Sequence, residues 1–392
     1  MTGSRCLALA LLVLAPPGCA GPVAPDLVIT NGRVFTNDTA RPWAEAIAIK
    51  GERVIAVGAA GTVMASQEQG TRVLDAGGRV VVPGFNDARV DLPLEPPTAA
   101  GLAALDRAAI ARGVTSLQVV AGGPMRVLVA AARDAQRDAR WRLIRSPQDG
   151  ERPHDEKPFL PPQPGVRVAA NGVAWTTGSV ESSRAPVAPE RLPTIVQWAY
   201  GAEDPVMMSG DGGRWRDALE HEGLPQVWQR KRPRFDACLP VFQRDVPAFA
   251  RLGVVVTLMP CAVVRADAPP EGSAGSLTDA GIHLAAGSAG APDPMAVLST
   301  LIGLEVITGV NATHGTGRAL TREEAMRAMT WGSAFAERAE RDKGWFGAGT
   351  LADLAVLSDD LFTVPAERLP AITSVLTLVG GTIVYDAGVL PK

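Results

Sequence analysis

The sequence predicts a (β/α)8 TIM-type barrel joined to a small β-sandwich that both ends of the chain build. Eight short apolar runs alternate with helical patterns through the middle, and β-type runs separated by turn residues recur at both ends. The 392 residues, 46% of them apolar, suffice to bury a large core. The predicted sandwich comprises residues 26–82 and 345–392, and the barrel comprises 83–344.

Strand–helix alternation over roughly 250 residues is typical of such a barrel. The candidate barrel strands are 80–91, 114–120, 141–146, 165–173, 204–209, 232–240, 253–261 and 281–289. Helical spacing of apolar residues predicts helices over 98–112, 124–138, 213–222, 244–252 and 294–308. Thr321 and Glu324 form a capping-box pattern that predicts one more helix, ending near Met329. The proline-rich and charged segment 147–164 is predicted to be an exposed loop.

The first 20 residues have the pattern of an export signal. A positive charge precedes a ten-residue apolar run, Cys6 to Ala15, which is too short to span a bilayer. Gly18-Cys19 then resembles the end of a bacterial lipobox, and cleavage after Ala20 is the alternative. The first route predicts a lipidated Cys19 and a membrane-anchored lipoprotein, whereas the second predicts a secreted periplasmic protein.

Composition excludes several partner classes. The net charge is -3 and no basic patch is evident, which disfavours nucleic acid as a partner. Contact with a membrane is expected only through the lipid anchor. Cys6 leaves with the signal, and the folded part then contains Cys238 and Cys261, too few for a disulfide framework.

The most informative motif follows the apolar run that opens the barrel. It reads Pro83-Gly84-Phe85-Asn86-Asp87-Ala88-Arg89-Val90-Asp91. This motif resembles the strand-one signature of the amidohydrolase superfamily, Pro-Gly-Phe-x-Asp-x-His-x-His. Runs at both ends, Leu74 to Phe85 and Gly349 to Leu357 among them, resemble the branch that includes N-substituted formamide deformylase. The resemblance implies a metal-dependent hydrolase of non-peptide C–N bonds that uses zinc or another divalent cation.

By resemblance to that signature, Arg89 and Asp91 take the places of the two metal-binding histidines. Residues two apart on a strand point the same way, so both side chains are expected to face the barrel mouth. Arginine has no acceptor lone pair and cannot ligate a metal, and one carboxylate does not make a metal site. By resemblance, four further strand-end positions of the family are also replaced. They are Arg167 for a bridging lysine, Met207 and Ala237 for histidines, and Ala289 for the general-base aspartate.

Other residues offer no replacement for this ligand set. The four histidines (154, 221, 283 and 314) and the five lysines lie away from the predicted strand ends, and no Ser-His-Asp arrangement is evident. The turn Gly210-Asp211-Gly212-Gly213 is either an anion-binding nest or a simple β–α turn.

The sequence therefore predicts an exported amidohydrolase homologue without a bound metal cofactor and with impaired or lost catalysis. The alternative is a non-catalytic envelope protein that binds a small anion through Arg89, Asp91, Arg167 and Asp211. A salt bridge in which Asp91 neutralises Arg89, with no ligand, competes with that alternative. Metal-free hydrolysis with Asp91 as the base is a third possibility.

Overall fold

The computed structural model describes residues 23–92, 98–122, 125–134, 137–146, 166–177, 187–202, 205–238, 243–259, 274–302 and 318–391. The predicted signal segment and the predicted loop 147–164 lie outside these residues. Within them, no helix is long and apolar enough to cross a membrane.

Strands and helices follow the predicted order. The strands are β1 Leu27–Thr30, β2 Arg33–Phe35, β3 Trp43–Ala44, β4 Ala46–Lys50, β5 Arg53–Gly58, β6 Arg72–Asp75, β7 Val80–Pro83, β8 Phe85–Asp91, β9 Val114–Ala121, β10 Arg140–Arg145, β11 Val168–Thr177, β12 Val206–Gly210, β13 Arg234–Cys238, β14 Val255–Met259, β15 Leu284–Ala286, β16 Leu354–Leu357, β17 Ser374–Val379 and β18 Thr382–Asp386. The α-helices are α1 Ala60–Met64, α2 Ala99–Ile110, α3 Met125–Asp134, α4 Leu192–Gly201, α5 Gly212–Glu222, α6 Pro225–Lys231, α7 Val246–Leu252, α8 Ala274–Asp279, α9 Pro294–Leu301, α10 Arg322–Arg327 and α11 Ser333–Ala336.

The two ends of the chain form two sheets, as predicted. One sheet has the order β5-β4-β1-β6, and the other has the order β18-β17-β16-β7-β2-β3. Alternation along β1 explains their packing: Leu27 and Ile29 lie in the core shared with β16 and β17, while Val28 packs under α1 on the opposite face. The C-terminal strands thus complete a core that the N-terminal strands begin.

The eight strands β8 to β15 pair in sequence order in one parallel sheet, which confirms the predicted TIM-type barrel. The sheet curls so that its first and last strands meet. The N–H of Ala289, just beyond β15, donates to the carbonyl of Arg89 at 2.8 Å. Gly287 lies so close to β8 that a Cβ there would be 2.5 Å from the Arg89 nitrogen. Glycine is therefore required at this seam of the barrel.

A helical segment closes the N-terminal end of the barrel. Thr321 and Glu324 form the predicted capping box of α10, and a π-helical turn over Ala328–Gly332 leads into α11. Gly332 allows close approach, because a Cβ there would be 1.9 Å from the carbonyl oxygen of Leu284. Glu337 follows α11 and enters the barrel base, where it pairs with Lys343 at 2.6 Å and accepts from Asn86 at 2.7 Å.

Candidate functional site

Arg89 lies at the C-terminal end of the barrel, where enzymes of this fold hold their active sites. Its side chain is 4% exposed and lies between two carboxylates. The Nε atom donates to Asp91 Oδ2 at 3.0 Å, and Nη1 donates to Asp236 Oδ2 at 2.7 Å. The salt-bridged alternative considered for Arg89 and Asp91 is therefore present, with Asp236 as an additional acceptor.

A second arginine extends this arrangement. Arg234 lies two residues before Asp236 on β13 and donates to both oxygens of that carboxylate. Its remaining donors reach Gln118 Oε1 at 2.7 Å and the Ala88 carbonyl at 2.6 Å. We call Arg89, Asp91, Arg234 and Asp236 the mouth cluster. It contains two cations and two carboxylates, and each ion contacts one of opposite charge.

The cluster holds its charges although it lies inside the protein. Burial opposes ionisation of Asp236, but Arg234 and Arg89 outweigh that effect and keep the pKa of Asp236 below its ordinary value. Burial also lowers the pKa of Arg234, against the attraction of Asp236. For Arg89 the attraction of Asp236 and Asp91 outweighs burial, so its pKa is raised. The mouth cluster is thus a compensated set of buried ions.

Asp87 lies beside this cluster at the barrel seam. Its Oδ1 accepts from the backbone N–H of Ser288 at 2.9 Å and of Arg89 at 3.1 Å, so the carboxyl links the loop after β15 to β8. Its Oδ2 is buried without a hydrogen-bond partner among the described residues. Burial raises the pKa of Asp87 to about 6, despite the hydrogen bonds from Ser288 and Arg89.

At one level, the interior wall formed by β9 to β12 is apolar. Met207 on β12 is 3% exposed, as is expected for a residue that packs inside the barrel. It forms one cluster with residues of the three preceding strands, and we call this cluster the apolar arc: Val120, Ile144, Ala174 and Met207. The arc and the mouth cluster give the barrel interior one apolar side and one charged side.

Two predicted site residues lie elsewhere than expected. Arg167 precedes β11 at the N-terminal end of the barrel, where it donates to the Asp138 carbonyl and, at 3.4 Å, to the Val379 carbonyl. Arg167 therefore does not reach the mouth as expected, because it lies one residue before β11 begins at Val168. Ala237 packs with the core outside the barrel, so its neighbour Asp236 supplies the inward side chain of β13.

The other two predicted positions lie near the C-terminal strand ends. Ala289 adopts φ 58° beyond β15 and contributes its backbone N–H to the seam. Asp211 begins α5 as its N-cap, and its side chain accepts from the Arg214 N–H at 3.2 Å. The carboxylate of Asp211 thus occupies the helix N-terminus that was considered as an anion nest.

The mouth side chains that the structure describes do not match the needs of a divalent metal. Among the described residues, no three His, Cys, Asp or Glu side chains come together in a group that could hold a metal ion. The two carboxylates of the mouth cluster face a guanidinium, which is a donor only. His283 lies at the opposite end of the barrel, against Phe335 with ring centroids 4.2 Å apart.

Sequence reasoning missed Arg234 and Asp236, although a pattern pointed to them. Arg89-Val90-Asp91 and Arg234-Phe235-Asp236 are both Arg-x-Asp sequences on barrel strands. In such a pattern both ions lie on one face of the strand. An arginine on one such strand can then pair with the aspartate of the other across the barrel.

The closed parallel barrel, the sandwich from both termini and the strand-one motif together define an amidohydrolase type of scaffold. The sequence model of the amidohydrolase family matches residues 172–385, more than half of the chain. The protein belongs to the amidohydrolase family.

Solved structures resemble the whole architecture. The zinc complex of atrazine chlorohydrolase from Arthrobacter aurescens TC1 aligns with a TM-score of 0.66 at 20% identity, over 92% of this chain and 95% of that one. An amidohydrolase from an environmental sample of the Sargasso Sea aligns with a TM-score of 0.64 at 16% identity, over 93% of this chain and 94% of that one. At these identities the likeness shows the fold alone.

A short stretch resembles a plant protein. It is 42% identical over 79 residues to Protein LONG AFTER FAR-RED 3 of Arabidopsis thaliana, covering 20% of this chain and 13% of that protein. This chain therefore matches only a small part of the length of that relative.

Proposed function

We propose that this protein is an amidohydrolase homologue whose barrel mouth holds an ion-pair cluster in place of the family's divalent metal, with metal-dependent hydrolysis impaired or lost. The observation that carries the proposal is the position of Arg89. It stands at the first histidine position of the strand-one motif and lies buried between Asp91 and Asp236. A permanently charged donor between the two carboxylates opposes binding of a second cation there.

The energetic cost of restoring a metal also supports the proposal. A metal that bound Asp91 and Asp236 would displace Arg89 from its two partners and leave its charge in a nearly water-free position. Breaking one partner from a buried ion pair typically costs about 3–5 kcal/mol. The resemblance to the formamide deformylase branch concerns the scaffold motifs, and the chemistry of that branch does not transfer to a mouth with these side chains.

Metal content tests the proposal directly. The mature protein, purified without chelator or metal-affinity resin, is expected to hold far less than one equivalent of zinc, manganese or iron after dialysis. The atrazine chlorohydrolase, whose structure contains zinc, is the matched control and is carried through the same purification. Near-stoichiometric metal in the present protein would overturn the proposal.

The alternative function is the binding of a small anion at the mouth. For this role the mouth has one cation fewer than the sequence predicted. Arg167 lies at the other end of the barrel, and Arg89 already faces Asp91 and Asp236. Thermal shift with small carboxylates and phosphates compares the wild type with Arg89→Ala, and Arg167→Ala now becomes the control. Stabilisation that is lost only in Arg89→Ala would favour this alternative.

A further inference from the structure

Four consecutive barrel strands carry polar side chains at one level of the interior. Backbone pairing places Thr176 beside Ser209, Ser209 beside Asp236, and Asp236 beside Thr257. The alternating residues Trp175, Met208, Phe235 and Val256 pack in the core outside the barrel. Because neighbours along a strand face opposite ways, the four polar side chains point inward. We call Thr176, Ser209 and Thr257 the hydroxyl row.

The hydroxyl row is buried but poorly satisfied. Thr176 is 6% exposed and Thr257 is 0% exposed, and neither Oγ1 has a hydrogen-bond partner within the described part of the chain. Within the described residues, Ser209 Oγ makes a single long contact, 3.5 Å, with the Trp175 carbonyl. Buried hydroxyls are normally paired, and leaving them unpaired costs free energy. The row thus has hydrogen-bonding capacity that the described residues do not use.

The surroundings restrict what can use that capacity. One pairing step below the row lie Ala174 and Met207 of the apolar arc. On the other side, the charges of the mouth cluster are already compensated by one another. A charged ligand would have to break a buried ion pair, whereas an uncharged ligand would leave all of them intact. Each hydroxyl both donates and accepts, so a ligand with hydroxyl groups on one edge and C–H on the other matches both the row and the arc.

We propose that the barrel mouth binds a small uncharged polyol, with its hydroxyl groups on Thr176, Ser209 and Thr257 and its carbon skeleton against the apolar arc. The inference rests on the proposed function, because it requires a mouth whose charge is balanced without a metal. It replaces the anion of the alternative function by a neutral ligand.

Propane-1,2-diol is the probe, and two molecules on the same carbon skeleton are its charged analogues: lactate, an anion, and 1-aminopropan-2-ol, a cation. Dissociation constants are measured by ligand-observed NMR titration of the full-length mature protein. The diol is expected to bind in the millimolar range, because it has few atoms. Each charged analogue is expected to bind at least about tenfold more weakly, because it must disrupt the mouth cluster.

Variants locate the binding. Thr176→Val with Thr257→Val removes both hydroxyls at nearly constant shape and should weaken diol binding roughly 25-fold, about fivefold for each neutral hydrogen bond. The paired serine substitutions at the same two positions keep the hydroxyls and should retain the affinity. Thr382→Val on the exposed edge strand β18 is the control and should bind as the wild type does.

Three outcomes would overturn the inference: no binding of the diol, equal binding of diol and charged analogues, or unchanged binding in the double valine variant. If that variant fails to fold, Ser209→Ala gives the same test with a smaller change. Failure of diol binding together with low metal content defeats this inference alone. Near-stoichiometric metal defeats the proposed function as well, so the two failures are distinguishable.

Discussion

The buried carboxyl at the barrel seam gives a pH-dependent stability that a single substitution isolates. Burial raises the pKa of Asp87 in the folded protein to about 6, above its ordinary value of 3.8. Between these values the folded protein binds more protons than the unfolded protein. The free energy of unfolding therefore gains from this group as the pH falls from about 6 towards about 4, and the gain is absent above about pH 7.

The size of this effect follows from the two pKa values. A difference of about 2 pKa units corresponds to roughly 3 kcal/mol of destabilisation at pH 7, of which about 2 kcal/mol disappears by pH 4.5. Asp87→Asn keeps an oxygen acceptor for the N–H groups of Ser288 and Arg89 but cannot ionise. Its amide group imposes a cost where Oδ2 has no partner, but that cost does not vary with pH and cancels in the comparison.

Urea denaturation of wild type and Asp87→Asn at pH 7.5, 6.0, 5.0 and 4.5 measures the effect. The stability of the variant relative to wild type should fall by about 2 kcal/mol between the highest and the lowest pH. Asp386→Asn, at an exposed position on β18, is the control. A difference between wild type and Asp87→Asn that stays constant over this range would refute the reasoning.

Three other predictions concern the mouth cluster, the sandwich and the N-terminus. Asp236→Asn should destabilise the fold by about 3–5 kcal/mol, because it leaves Arg234 and Arg89 buried without their shared charged partner. Urea denaturation measures this loss, and Asp211→Asn, which keeps a good N-cap, is the control. Deletion of residues 345–392 removes β16 to β18 from their sheet and should give aggregated or protease-sensitive protein, whereas a soluble truncation that melts cooperatively would contradict a shared core. Cys19 should carry the lipid, so labelled palmitate should enter the wild type and not Cys19→Ser; incorporation that persists in the variant, or a mature N-terminus at Gly21, would contradict lipidation there.

The barrel was predictable because its periodic pattern is strong. The site was less predictable because a shift of one residue changes which face of a strand a side chain occupies. The candidate strand 253–261 contains β14, and 114–120 nearly coincides with β9. The fourth barrel strand, β11, is less regular. Its pairing with β10 shifts register between Leu143 and Arg145 of β10, and Gly172 on β11 adopts φ 109°. Such irregularities change which face a side chain takes and obscure strand bounds, and Arg167 was matched to a strand-end position although it lies just before the start of β11.

The error at Ala237 has a different cause. The position was taken from an alignment of family motifs, and an offset of one residue on a strand exchanges the inward and the outward face. Asp236 and Arg234 point inward instead. Their partners lie on β8 and β9, far away in sequence, so no local pattern states which ions will pair. The Arg-x-Asp repeat identifies the candidates, and only the closed barrel identifies the contacts.

The shared carboxylate in the mouth cluster restricts which single substitutions the cluster can accept. Because Asp236 serves both Arg89 and Arg234, no member of the cluster can be exchanged without leaving a partner with excess charge. Histidine at position 89 would leave Asp91 and Asp236 with Arg234 as the one remaining arginine of the cluster. Each single exchange of this kind is therefore expected to give a less stable protein, so a mouth able to hold a metal would require several substitutions made together.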